Sequence, residues 1–191
     1  MAFVHLHNHS HYSLLDSTSR VKPMVAHAKE LGFDTLAITD HGNLYGAIEF
    51  YQECQQAEIK PIIGQEVYIA PNGLESKRPR IDDKVNTLIL LAKNFEGYKN
   101  LMQLTTIAYK KGFHAEKPRM DLELLSEYSE GLIVLSGSLN GELPEAIVAG
   151  NEDKAREIIA KYKQVFAHDY YLEVQHHPEL EKQTLVNLCL S

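Results

Sequence analysis

Most of the short apolar runs in this chain lead, within a few residues, into a histidine, a carboxylate or a hydroxyl, and that order limits the folds open to it. Ala2-Phe3-Val4 runs into His5-Leu6-His7-Asn8-His9-Ser10-His11 and then Asp16, and Thr35-Leu36-Ala37-Ile38-Thr39 runs into Asp40-His41. Lys60 to Ile69 carries Glu66 toward its end, Gly131 to Leu135 precedes Ser136-Gly137-Ser138, and Tyr170 to Gln175 precedes His176-His177. With Thr87 to Ala92, an apolar run that predicts a strand covered on both faces, these make six strands. Segments of helical spacing separate them. The first has Ser19 as N-cap, Pro23 in its first turn and Gly32 at its end, and the others fall near 44–55, 95–110, 121–128, 141–149, 151–166 and 179–190. Strands alternating with helices predict a mostly parallel α/β sheet, open or closed into a barrel, whose sites lie at the strands' carboxyl ends. The polar candidates sort to those ends.

The first tract is the densest. Four of the ten histidines occupy every second position from His5 to His11. If Phe3 to His7 is extended, His5, His7 and His9 leave one face. Imidazoles at i and i+2 with a nearby carboxylate suit zinc, manganese or iron better than calcium. A purification tag would be a contiguous run, whereas this tract alternates inside an apolar segment.

Length and composition bound the rest. At 191 residues the chain can bury one sizeable core without covalent staples. Cys54 and Cys189 match no zinc or redox spacing and read as two reduced thiols of a cytoplasmic protein, with Cys54 inert on a core-facing helix position. The N-terminus carries no secretory signal, and no apolar run approaches the ~20 residues that cross a bilayer, so no membrane partner is expected. The net charge of -7 argues against a domain that coats nucleic acid by counterion release, but not against a metal site that handles a phosphate locally. Residues 70–84, with Lys77, Arg78, Arg80 and Lys84, read as an exposed loop, solvated or touching a phosphate backbone. The last helix meets no cap, Gly or Pro before Ser191 and reads as cut within a longer protein.

Several long stretches resemble the polymerase-and-histidinol-phosphatase (PHP) domain, in the branch at the N-terminus of bacterial DNA polymerase III alpha subunits. They are Phe3 to Ser10 with Tyr12 to Asp16, Ile38-Thr39-Asp40-His41-Gly42-Asn43-Leu44-Tyr45-Gly46-Ala47, Gly64 to Pro71, Leu91 to Tyr98 and Glu130 to Gly137. The resemblance covers nearly all of residues 1–191 and implies a distorted (β/α)7 barrel, here truncated at its C-terminal end. It implies up to three divalent transition metals, zinc or manganese, in a phosphoesterase cleft. Residue by residue it gives His7, His9, Asp16, His41, Glu66 and His177 as metal ligands, with no catalytic residue separate from them. His5 stands where stand-alone members carry aspartate, a supporting or packing position, and Asp40 orients His41 or caps its turn.

This chain departs from the pattern at Thr87, where metal-binding members carry histidine, and at Ser138, where several carry a ligating cysteine. A hydroxyl is a poor ligand beside imidazole or carboxylate. For function the resemblance implies a DNA-directed DNA polymerase in replication, acting on DNA with other replicase subunits and a separate proofreading exonuclease. The domain itself would be a structural support or a metal-dependent 3′-5′ exonuclease. The alternative is a stand-alone phosphoesterase of the histidinol-phosphatase type.

Overall fold

The computed structural model describes residues 3–177 and 179–191. Its spine is a ten-residue strand, β2 (Lys60–Ile69), which serves three neighbours along its length. The first half pairs in parallel with β1 (Thr35–Ile38), Thr35 opposite Lys60 and Ile38 opposite Ile63. The second half pairs antiparallel with β3 (Asn86–Ala92), Gly64 opposite Leu91 and Ile69 opposite Asn86, and its last two residues pair in parallel with β5 (Lys117–Met120). Beyond β3 lies β6 (Leu132–Leu135), antiparallel to it, and then the two-residue β7 (Tyr170–Tyr171). A two-residue β4 (Phe113–His114) closes the other side against β5, making a sheet of seven strands.

Two expectations are corrected here. The sheet is mixed rather than mostly parallel, because β3 opposes both neighbours; a fully buried apolar run has no polar face to mark its direction. The N-terminal segment from Phe3 is extended but forms no regular strand, and the run read as Tyr170 to Gln175 keeps strand pairing only at its first two residues.

Helices cover the sheet: α1 (Val21–Glu30), α2 (Ala47–Gln56), α3 (Phe95–Ile107), α4 (Leu122–Glu127), α5 (Glu142–Val148), α6 (Glu152–Phe166) and α7 (Glu181–Leu190). The cap of α1 is Arg20, with no side-chain bond, rather than Ser19. Asn94, Asp121 and Asn151 cap α3, α4 and α6, each side chain accepting from the backbone N–H three residues on. The main core joins Val67, Leu88, Leu90, Leu132 and Val134 of the sheet to Leu101, Leu104, Leu125, Leu143, Ile158 and Tyr162 of the helices. Ile89, Leu91 and Leu135 pack on the opposite face, so β3 is covered on both sides as its composition requires. Val21, Val25, Leu36, Phe50 and Cys54 form a smaller core under α1 and α2, where burial pushes the Cys54 thiol up to about 11. No helix among the described residues is long and apolar enough to cross a membrane.

Candidate metal centre

The parallel register of β1 on β2 runs past the end of β1 to an isolated bridge between His41 and Glu66, which sets Asp40-His41 beside the Glu66 carboxylate. The N-terminal segment lies along β1. His5 O accepts from Ala37 N at 3.2 Å, while Asn8 O accepts from Thr39 N at 2.8 Å. Three residues on one side therefore face two on the other, and this bulge breaks the strict alternation of side chains. His5 consequently does not share a face with His7 and His9. It stands edge-on to Phe3 and Phe33, with ring centroids 4.8 and 5.2 Å away, whereas the His7 and His9 rings meet at 5.1 Å.

His7 Nε2 and His9 Nε2 lie 2.8 and 2.7 Å from the same oxygen, Glu66 Oε2. His41 joins from the side, its Nδ1 3.6 Å from that oxygen, its Nε2 3.6 Å from Asp16 Oδ2 and its ring 4.1 Å from the His9 ring. The Glu66 side chain is 2 % exposed and that of Asp16 57 %, so the cluster runs from a buried floor to an open mouth. His177 is half-exposed with Nδ1 3.5 Å from Glu179 Oε1, and it is not among the donor atoms that His7, His9 and Glu66 bring together. Burial works against charge on His7 and Glu66, but hydrogen bonds outweigh it: those to Glu173 and then Glu66 raise His7 to about 9, and those to His7 and His9 hold Glu66 below the usual carboxylate range. Burial takes His41 the other way, below the ordinary imidazole value.

Asp40 does not face the cluster. Its carboxylate, 2 % exposed, accepts from Ser10 N at 2.6 Å, Ser10 Oγ at 2.7 Å and Ser13 Oγ at 2.6 Å, tying down the loop between His9 and Asp16. Thr87 faces Tyr68 across β2 and β3 and buries a hydroxyl with no partner; Ser138 is half-buried in the turn after β6. Glu173 escaped the sequence reading: its Oε1 sits 2.6 Å from His7 Nδ1. An acid between Leu172 and Val174 in a run otherwise read as strand was the available signal.

One donor atom from each of His7, His9 and Glu66 lies within 4.8 Å of the others, and buried His41 Nδ1 has no hydrogen-bond partner. Two imidazoles, one buried carboxylate and a third imidazole beside them fit a divalent transition metal. Fold and site thus define a mixed α/β domain with a histidine–carboxylate centre of the metal-binding kind. The chain belongs to the PHP domain family, whose model matches residues 5–177. It is 46% identical over 97% of its length to a DNA polymerase III subunit alpha of Borreliella burgdorferi, and 45% identical over 96% to that of Chlamydia trachomatis. It covers 16% and 15% of those proteins, and so spans about a sixth of the relatives' length. A crystal structure from Bifidobacterium adolescentis, described as a metal-dependent phosphoesterase, shares the fold with a TM-score of 0.51 at 13% identity, over 97% of this chain and 82% of that one.

Proposed function

We propose that this chain is the N-terminal PHP domain of a replicative DNA polymerase III alpha subunit working in the cytoplasm, and that its centre holds zinc or manganese and cleaves a phosphodiester at a 3′ end. The convergence of His7, His9 and Glu66 carries the reading, together with relatives that bear the alpha-subunit name. The sheet would belong to a distorted (β/α)7 barrel whose remaining βα units come from the longer protein.

His7 and His9 would present Nε2, and Glu66 its carboxylate, as the buried part of the ligand set, with His41 and Asp16 toward the mouth. The metal, when bound, would polarise the phosphoryl oxygen and lower the pKa of bound water. Glu66 offsets the cation's charge from a position closed to solvent. His41 Nε2 faces Asp16 Oδ2, a carboxylate that would keep its proton on that nitrogen and hold the ring at the mouth where a substrate would enter. Template-directed nucleotide addition would reside elsewhere in the longer protein, with DNA and other replicase subunits as partners.

The test uses the full-length protein. It should extend a primed template, carry transition metal by elemental analysis and release a mismatched 3′ nucleotide. Glu66→Gln and His9→Ala should abolish release and leave extension intact. The hydroxyls at Thr87 and Ser138 favour a second reading, in which the domain braces the polymerase and docks a separate exonuclease. Protein that extends primers yet carries no zinc or manganese would overturn the nuclease, and co-purification of a separate exonuclease with it would support the docking role.

A further inference from the structure

His7 is held from both sides. Nε2 points at Glu66, and Nδ1 lies 2.6 Å from Oε1 of Glu173, a carboxylate 166 residues away whose side chain is 8 % exposed. Glu173 is itself fixed in place. Its backbone N–H donates to Ser136 Oγ at 2.9 Å, and the fully buried Ser136 donates its own N–H to Tyr171 O at 3.0 Å, anchoring the segment to the end of β6. Gln175 Nε2 donates to the same Oε1 at 2.7 Å, the shorter of its two contacts, the other being His7 Nδ1 at 3.1 Å, and Gln175 O accepts from Asn187 Nδ2 of α7 at 2.6 Å. A rigid path thus runs from α7 and β6 to one ring nitrogen of one histidine.

An imidazole can offer a metal only a nitrogen that carries no proton, and the partner of its other nitrogen decides which one that is. A carboxylate is acceptor-only when ionised, so without a metal His7 donates from Nδ1 to Glu173 and from Nε2 to Glu66; a metal taken up between Nε2 and Glu66 would replace that second proton, while Glu173 keeps the one on Nδ1. We infer that Glu173 is the positioning residue of the metal centre, setting the tautomer and the ring angle of His7 without touching the metal. The inference rests on the reading of His7, His9 and Glu66 as ligands. It gives the apolar segment after β7 a reason to contain an acid, and it makes the centre depend on the far end of the chain.

The test combines Zn2+ affinity by chelator competition, the ligand-field spectrum of the Co2+-loaded chain, and 15N spectra of the histidine rings in the Zn2+-loaded chain. In the wild type His7 should show the Nδ1–H form. Glu173→Ala should weaken Zn2+ binding by about 10–100-fold, the usual loss when a histidine's outer partner is removed, and shift the Co2+ spectrum. Glu173→Gln keeps the volume of the side chain but can turn an amide donor toward Nδ1, and it should move His7 toward the Nε2–H form. Wild-type affinity, Co2+ spectrum and tautomer in folded Glu173→Gln would overturn the inference. Failure of the wild type to bind Zn2+ or Co2+ would instead overturn the metal reading beneath it.

Discussion

The Ser10 hydroxyl and Asp40 Oδ2 lie 2.7 Å apart, both buried, and through this contact the turn after β1 controls the loop that carries His9 and Asp16. Two more bonds reach Asp40 from the same loop, from Ser10 N and Ser13 Oγ. Asp40→Ala leaves three donors without their acceptor, so the loop should lose its fixed geometry. Zn2+ affinity is expected to fall by about tenfold or more although no ligand is changed, read by chelator competition. Undiminished affinity would show that the loop holds itself.

Gly97 in the first turn of α3 packs under the backbone of Gly131, where a Cβ would come within 1.8 Å of the Gly131 carbonyl oxygen. Glycine in a helix ordinarily costs ~0.5–1 kcal/mol relative to alanine, so an open position would gain from Gly97→Ala. Here the obstacle is backbone and cannot swing aside. The variant should lose at least the ~1–3 kcal/mol of an overpacked core, seen as a lower urea midpoint. A raised midpoint would mean that α3 and the start of β6 are not in this contact.

The acid limb of stability should depend on Asp82. Its side chain, 1 % exposed, accepts from Arg78 N and Nε, Asn72 Nδ2 and Ser76 Oγ. The Arg78 hydrogen bond leads in holding it below its ordinary value of 3.8, against the opposing effect of burial. A carboxyl depressed in the folded state is protonated first in the unfolded chain, so its contribution is complete above that ordinary value and lost as the pH falls below it. Asp82→Asn should lower the melting temperature at neutral pH and flatten its decline between about pH 5 and 3. Parallel wild-type and variant curves would remove Asp82 from the account.

The same loop shows where sequence and structure part. Residues 70–84 read as an exposed loop, solvated or touching a phosphate backbone; no strand or helix forms there, and Lys77, Arg78, Arg80 and Lys84 are exposed. What that reading lacks is that the loop closes around buried Asp82 and over Arg119. Arg119 is 1 % exposed and donates to the carbonyls of Gly112, Asp82 and Ser76, partners supplied by turns that no periodicity announces. For that reason β5, written Lys117-Pro118-Arg119-Met120, carries no strand signal at all. By contrast β1, β3 and β6 were legible as apolar runs, and His7, His9, His41 and Glu66 as polar residues in or just after extended segments, His41 past the end of β1 and Glu66 within β2. Their closeness depends on the shared register of β1 and β2. Glu173 was marked only by being an acid between Leu172 and Val174, a signal that gains meaning once the fold sets it beside His7, 166 residues away in sequence.

Thr87 offers a direct probe of how the site could grow. It stands opposite Tyr68, two residues beyond Glu66 on β2, and therefore on the cluster's face of the sheet. Its hydroxyl is buried with no partner. Thr87→His would set an imidazole one cross-strand pair along from Glu66, supplying a nitrogen donor where a neutral hydroxyl ligates poorly. The larger ring should cost ~1–3 kcal/mol of stability in the metal-free chain, and added Zn2+ should restore part of it by binding the folded state alone. The bound metal per chain, measured by elemental analysis after dialysis, should exceed that of the wild type, and release of a mismatched 3′ nucleotide by the full-length protein should quicken. An unchanged metal content in a folded variant would mean that the Thr87 side chain does not reach the space shared by His7, His9 and Glu66, and that the centre is confined to the ligands it already has.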